Sequence, residues 1–307
     1  MQLDYGLLER FENGLDPQNL TASAVRAEVV GYGEMSTVFK IDNHPAVVFK
    51  RLPLFKDRAA AESYVAMFDE YCGLLKQLGI FLPESETIII EVPKRPVTLY
   101  IAQAMLPAER FGHRLIHTQD KDSVKQLIES IMAASEKVWQ FCKENGPDLE
   151  VALDGQLSNW VLIEEGNESK LVFIDTGTPF IKKNGQNLLD PDLLIQAVPK
   201  PLRWLIKWLF ADEVLNRYYD PQKNMIDLAA NLFKEQKPEL IPVFIEVINQ
   251  KLPAGVTPLT IKGIESYYRE DKFIWWLFLG LRRIDCWLAT NIFRQRYEFI
   301  LPGKIKR

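Results

Sequence analysis

Cysteine, net positive charge and long apolar runs are scarce in this chain, and each shortage argues against a class of protein. Only 3 cysteines occur among 307 residues, and an odd number of widely spaced cysteines argues against a disulfide framework. The formal net charge of -4 leaves no basic excess for broad nucleic-acid binding. The apolar stretch FIWWLFLGL, from Phe273 to Leu281, is far too short to span a bilayer.

What is present is an ordinary globular composition. Hydrophobic residues make up 47% of the chain and charged residues 25%. The N-terminal stretch MQLDYGLLERFENG is interrupted by charges from its start, unlike a secretory signal peptide. We therefore expect a cytoplasmic protein without stable membrane insertion. The sequence does not indicate its oligomeric state.

The first third of the chain predicts a small sheet with one main helix. Residues 1–25 predict a short helix and a connecting arm, and residues 26–50 predict two or three strands broken by glycines. Apolar residues at steps of three and four then indicate a helix from about Asp57 to Gly79. Two further strands are expected at Thr87–Val92 and Thr98–Gln103. Residues 1–104 are thus predicted to form an N-terminal lobe.

The pattern changes after residues 105–112, which we interpret as a linker or hinge. Residues 113–307 are mainly helical in pattern, with one hairpin made of Trp160–Glu164 and Lys170–Ile174. The predicted fold class is therefore α+β, with a sheet lobe, a hinge and a larger helical lobe. Clefts between such lobes are common ligand sites.

Two N-terminal features could bind a nucleotide. The stretch GYGEMSTVFK places Gly31, Gly33 and Ser36 in a turn between strands, where backbone N–H groups can approach phosphate oxygens. A plain hairpin turn explains the same glycines. Lys50 follows the apolar residues AVVF, so its ammonium group could contact phosphates or could simply reach solvent at a strand end. Glu70, on the following helix, is the candidate acid to hold Lys50, with Glu62 as the alternative.

Polar residues also mark both ends of the predicted hairpin. Asp154 begins a turn in LDGQLSN, Asn159 precedes the first hairpin strand, and Asp175 follows the second strand in FIDTG. Because a hairpin joins these strand ends, we expect Asn159 and Asp175 to lie close together. An amide oxygen and a carboxylate form a plausible site for Mg²⁺. Two Asx turns beside a hairpin are the alternative explanation.

These stretches together resemble the protein-kinase-like fold, and within it the aminoglycoside phosphotransferase and choline kinase group of small-molecule kinases. The resemblance covers about residues 26–180. It implies that Asp154 is catalytic, that Asn159 and Asp175 bind magnesium, and that Lys50 and Glu70 form the pair that contacts ATP. It also implies that the hinge residues Gln103 to Met105 face the adenine. The expected activity is ATP-dependent transfer of a phosphoryl group to a hydroxyl of a small molecule.

A departure from that family pattern leaves alternatives to a small-molecule kinase open. Ala152 and Leu153 stand where these kinases usually carry His or Arg before the catalytic aspartate. A kinase-like nucleotide-binding or regulatory module without turnover is therefore the alternative. An atypical protein kinase is a weaker one, because no Ala-Pro-Glu-like anchor occurs between Asp175 and Pro201.

Two further groups of residues have open interpretations. The aromatic residues of the C-terminal helix could belong to its core or could form a patch that faces lipid or a partner. Four aspartates could line the pocket of a cationic acceptor or could be helix caps. The aromatic residues are Phe273, Trp275, Trp276, Phe278 and Trp287, and the aspartates are Asp190, Asp192, Asp220 and Asp227.

Overall fold

A computed structural model describes residues 1–33, 35–166, 168–194 and 215–303 of the chain. Outside the described residues lie Glu34 of the glycine turn and Asn167 of the hairpin turn. Residues 195–201, the end of the stretch without an Ala-Pro-Glu-like anchor, also lie outside them. No helix in the described ranges combines the length and the apolar character needed to cross a membrane.

Residues up to 104 form a five-stranded antiparallel sheet with a helix on each face. The strand order is β1-β2-β3-β5-β4. Helix α2 (Arg58–Gln77) begins after the cap Asp57, whose carboxylate accepts from Ala60 N at 2.8 Å. The strands are β1 (Ala27–Tyr32), β2 (Thr37–Ile41), β3 (Val47–Phe55), β4 (Ser85–Ile90) and β5 (Val97–Ala104). The predicted strands and helix α2 agree with these bounds to within a few residues.

Helix α1 (Tyr5–Gly14) is the short helix predicted near the N-terminus. It covers the sheet face opposite α2, a position that the sequence does not predict. Alternate residues of a strand point to opposite faces, so β3 serves two cores. Phe49 packs on the α1 side and Leu52 on the α2 side. Lys50 lies within β3 rather than at its end, because the strand continues to Phe55. That correction places the Lys50 ammonium group over the middle of the sheet rather than at its solvent edge.

A buried ion cluster fixes α1 to the sheet. The Arg51 guanidinium donates two hydrogen bonds of 2.7 Å to the carboxylate of Glu12, and both side chains are buried. Tyr100 donates to the same carboxylate at 2.5 Å, and Arg95 also contacts it. Glu298, from the C-terminal segment, accepts from Arg51 at 3.1 Å. The cluster therefore joins the first helix, two strands and the end of the chain.

Residues after 111 are mainly helical, as predicted, with two small sheets among the helices. A hairpin pairs β7 (Trp160–Glu165) with β8 (Glu168–Phe173), close to the predicted strands. The other sheet, of order β10-β9-β6, is not predicted from the sequence. Its strands are β6 (Leu149–Val151), β9 (Ile181–Lys183) and β10 (Gln186–Asn187). The division into two lobes around residues 105–112 stays a prediction.

The described helices of this part pack mainly on one another. They are α3 (Gly112–Thr118), α4 (Lys121–Asn145), α5 (Pro191–Leu194), α6 (Pro221–Lys234), α7 (Ile241–Lys251) and α8 (Ile261–Trp287). Helix α6 lies against α8, and α4 lies against α7. A π-helical turn, Leu288–Ile292, continues α8. The architecture of the described residues is thus mixed α and β, with antiparallel sheets.

Candidate active site

The glycine turn between β1 and β2 forms one wall of a cleft of about 290 Å³. Gly33 N donates to Ser36 O at 2.9 Å, which closes the turn. A Cβ at Gly33 would lie 2.6 Å from Ser36 Oγ, so the glycine allows the Ser36 side chain to pack closely against the turn. Gly33 and Ser36 line the cleft, whereas Gly31 is paired with Val38 inside the sheet and is not among the lining residues.

Lys50 reaches across this cleft to Asp175. The distance from Lys50 Nζ to Asp175 Oδ1 is 2.5 Å, and both side chains are partly buried. The Lys50 side chain also lies directly against Gly177, where a Cβ would be 2.6 Å from Nζ and 2.7 Å from Cδ. Gly177 therefore makes room for the lysine, and a strand of the N-terminal sheet meets the segment after β8 at this point.

The prediction that Glu70 pairs with Lys50 is wrong. Glu70 binds Lys183 instead, with Nζ and Oε1 at 2.7 Å, on a partly exposed surface. Helix α2 turns Tyr64 and Tyr71 toward the cleft side. Tyr64 donates to Gly177 O and Tyr71 to Ala152 O, each at 2.7 Å. The rotation of α2 thus directs tyrosines toward this region and leaves Glu70 on another face of the helix.

The hairpin brings the predicted metal-ligand residues together. Ile174 N donates to Asn159 O at 2.9 Å, so the residue before Asp175 is bonded to Asn159. Asn159 Nδ2 donates to Asp154 O at 3.2 Å, which fixes the amide and leaves its oxygen for another contact. Asp154, Asn159 and Asp175 all line the cleft. Their oxygen chemistry fits Mg²⁺, although Lys50 already contacts one oxygen of Asp175.

Asp154 is almost fully buried, and its electrostatic surroundings are unusual. Burial raises the pKa of its carboxyl to about 7, helped by the negative charges of Asp227 and Asp175. Gln156 N donates to Asp154 Oδ1 at 3.2 Å and favours the charged form. A carboxylate with a pKa near neutrality can accept a proton at ordinary pH and later release it.

Helix α6 supports the Asp154 turn with residues that the sequence does not single out. Asn224 Nδ2 donates to Leu153 O at 2.6 Å and to Tyr218 O at 3.0 Å. A Cβ at Gly155 would lie 2.6 Å from Asn224 Oδ1, so the turn packs tightly on this side chain. With Tyr71 on Ala152 O, the two carbonyls before Asp154 are held from neighbouring helices. These two hydrogen bonds fix the backbone immediately before Asp154.

Asp227 lies one turn after Asn224 and is also buried, and its Oδ1 has no hydrogen-bond partner among the residues that the structure describes. It is neither a cap nor an exposed residue. Asp220 is the cap of α6, since it accepts from Gln222 N and Lys223 N. The sequence feature that could have identified these residues is the helical spacing of polar residues at 224, 227 and 231 on a helix face that is otherwise apolar.

The predicted adenine-facing residues do not line the cleft. Gln103 Nε2 donates to Ile174 O at 3.2 Å and to Thr176 Oγ1 at 3.1 Å, which joins β5 to the segment around Asp175. Met105 N donates to Ala46 O at 2.8 Å, and its side chain is exposed. A position beside the adenine stays a prediction for Met105, whereas the Gln103 side chain has a structural role.

The other side of the cleft carries charged and aromatic residues that the sequence does not predict. Lys234 lies 3.4 Å from Asp271, and Arg217 donates to Tyr218 Oη at 2.9 Å. Trp275, on α8, lines the same side.

Comparisons with known proteins give a family and a weak structural likeness. Residues 18–286 match the model of DUF6206, described as a family of unknown function. No curated protein matches the chain. Among the solved structures with some similarity, WaaP in complex with acyl carrier protein is 11% identical, with a TM-score of 0.38 over 90% of this chain and 95% of that chain.

Proposed function

Because the chain belongs to DUF6206, a family of unknown function, we propose a function from the cleft itself: ATP-dependent transfer of the γ-phosphoryl group to a hydroxyl of a small molecule. One observation carries the proposal. Lys50 comes from the N-terminal sheet, more than a hundred residues before the segment around the β7–β8 hairpin that supplies Asp154, Asn159 and Asp175, and all four line a single cleft beneath a glycine turn. Phosphoryl transfer depends mainly on positioning and on charge stabilisation, and these are the residue types that supply both.

Each residue has a role in that proposal. Asp154 accepts the proton of the acceptor hydroxyl as its oxygen attacks the γ-phosphorus, and the bond from that phosphorus to the bridging oxygen of ADP breaks. Lys50 and the backbone of the glycine turn bind the phosphates. Asn159 and Asp175 would hold Mg²⁺, which would neutralise the charge of the phosphate oxygens. Lys50 would exchange part of its contact with Asp175 for phosphate.

A second function has specific support. In a nucleotide-binding module without turnover, Lys50 would stay on Asp175, as it does in this structure, and the missing His or Arg before Asp154 would be of no consequence. The two functions differ in turnover but share nucleotide binding. They are therefore separated by activity and not by affinity.

A thermal unfolding experiment tests the shared part. Ligands that bind only the folded state raise its midpoint, so ATP and magnesium together should raise it more than ATP alone. Asp175→Ala should lose most of the magnesium-dependent part, whereas Asp69→Ala, at an exposed position of α2, should keep it. No shift at any ATP concentration would contradict nucleotide binding altogether. A shift independent of magnesium and of Asp175 would contradict the metal site.

A further inference from the structure

The outward face of α8 is apolar where a surface helix is normally polar. Phe273, Trp276, Ile284 and Trp287 follow one another at helical spacing along one stripe, and Ile292 and Phe293 extend it. Their exposed fractions range from 55% to 69%. We call these six residues the α8 outer face. From Phe273 to Trp287 the stripe is about 21 Å long at 1.5 Å per residue.

The same helix already has a complete inner side. Ile264, Leu279 and Arg282 are buried, and Asp271 and Trp275 line the cleft. The packing of α8 on α6 therefore does not require the outer face. Single exposed apolar residues are ordinary, but a contiguous row of them marks an interaction surface. Of the two interpretations that the sequence leaves open for these aromatic residues, the exposure of Phe273, Trp276 and Trp287 favours a surface patch.

The charges around the α8 outer face are opposite in sign to those of the whole chain. The complete sequence has 37 basic and 41 acidic residues. Between 269 and 296, by contrast, Glu270 is the only exposed acid, and every other exposed charge is basic. Those basic residues are Arg269, Lys272, Arg283, Arg294 and Arg296. Arg296 is partly neutralised by Glu298 at 2.8 Å, whereas Arg283 donates to the carbonyls of Pro302 and Gly303.

We propose that α8 binds an anionic lipid surface through this outer face, lying in the plane of the interface. Tryptophan and phenylalanine flanked by basic residues are the combination that helices at lipid interfaces use, with apolar side chains buried about 5–10 Å at the headgroup boundary. The amphipathic indole ring suits that depth. Basic residues beside the stripe add attraction to anionic headgroups. The proposal is independent of phosphoryl transfer.

Vesicle flotation of the full chain tests this directly. Wild type should float with vesicles of phosphatidylcholine mixed with phosphatidylserine, and much less with phosphatidylcholine alone or at high salt. The double variant Trp276→Ser, Trp287→Ser should lower the bound fraction by at least about tenfold, because it removes two large apolar groups from the interface. Arg269→Glu with Arg294→Glu should remove the preference for phosphatidylserine. Ile261→Ser, exposed on the same helix but outside the stripe, is the matched control and should bind like wild type.

Several results would overturn the proposal. One is wild type that stays unbound to both vesicle types, and another is flotation that the two tryptophan changes leave unaltered. A wild-type dimer in light scattering that these changes convert to a monomer would make the face a self-interface. A clear fall in the thermal midpoint of the tryptophan variant would mean that another part of the chain covers the face. An unchanged midpoint with lost flotation is the supporting outcome.

Discussion

Lys50 and Asp175, 125 residues apart in sequence, form an ion pair of 2.5 Å that joins the N-terminal sheet to the segment after the β7–β8 hairpin. Lys50 thus contacts the predicted metal-binding carboxylate of Asp175 rather than Glu70 on helix α2. Both side chains line the cleft.

Lys50 and Glu70 should have separable roles in ATP binding. Lys50→Ala should weaken ATP binding by at least about tenfold, because a charged hydrogen bond of about 1.5–3 kcal/mol is lost. Glu70→Ala should change affinity by no more than about twofold, since its surface pair with Lys183 contributes little. Isothermal titration calorimetry measures both, with Lys183→Ala as the control. Equal losses for Lys50→Ala and Glu70→Ala would mean that the two side chains meet in the nucleotide-bound state.

Gly177 should be required for the position of Lys50. In Gly177→Ala the new methyl group would overlap the lysine side chain, so Lys50 must leave Asp175 and ATP affinity should fall by about tenfold. Gly73→Ala is the matched control, because no atom lies within 4 Å of its added Cβ. That change, inside helix α2, should instead stabilise the protein by about 0.5–1 kcal/mol. Unaltered ATP affinity in Gly177→Ala would show that the lysine position is not critical.

Asn224 should support catalysis through the Asp154 turn. Asn224→Ala leaves two buried carbonyls without their donor, which should cost about 2 kcal/mol of unfolding free energy. Because the turn can then shift, turnover of ATP with an identified acceptor should fall by about tenfold to hundredfold.

Asn249→Ala is the matched control for that change. Asn249 also makes two hydrogen bonds to the backbone, donating to Leu259 O at 3.0 Å and accepting from Leu259 N at 2.7 Å, away from the cleft. Its loss should lower stability by a similar amount without lowering turnover. Equal effects of both changes on turnover would reduce the role of Asn224 to general stability.

The hairpin explains why part of the site is predictable. A two-stranded hairpin necessarily joins the start of its first strand to the end of its second, so Asn159 and Asp175 meet for local reasons. The glycine turn is likewise local, since it joins neighbouring strands. The partner of Lys50 is not local. It depends on how α2 is rotated about its axis, and that rotation is set by the buried side chains Tyr64, Phe68 and Tyr71.

The positions of Asn224 and Asp227 beside Asp154 could not be predicted from the sequence for a related reason. They lie about seventy residues after Asp154, and only the packing of α6 beneath the Asp154 turn brings them there. A polar residue in a helix is equally compatible with a cap, a solvent-facing position or a buried support. Only the tertiary structure distinguishes these three positions. For the same reason, the sequence alone does not show which aromatic residues of α8 are buried and which are exposed.

The ion cluster at Glu12 should make stability depend on pH. Burial raises the pKa of Glu12, but the hydrogen bonds and charges of Arg51, Tyr100 and Arg95 outweigh it and lower the pKa below the ordinary 4.5. A lowered pKa means that the stabilisation is present above about pH 4.5 and is lost as the pH falls through the folded-state pKa. Glu12→Gln should therefore cost about 3–5 kcal/mol at neutral pH and much less in acid.

Urea unfolding over the acid range checks this dependence. The gap between wild type and Glu12→Gln should close as the pH falls, whereas Glu9→Gln, at an exposed position of α1, should follow wild type throughout. A gap of constant size at all pH values would contradict an ionised Glu12 in the folded state.

Asp154→Asn tests the central claim, phosphoryl transfer in this cleft, most directly. The measurement is transfer of the γ-phosphoryl group of ATP across a panel of small hydroxyl compounds, with wild type and the variant side by side. A proton-accepting carboxylate acts mainly in the transition state, so Asp154→Asn should bind magnesium and ATP nearly as well as wild type. Its turnover with the accepted compound should be at least about a hundredfold slower. Equal turnover by wild type and Asp154→Asn, or no transfer to any compound, would contradict the account and favour a nucleotide-binding module.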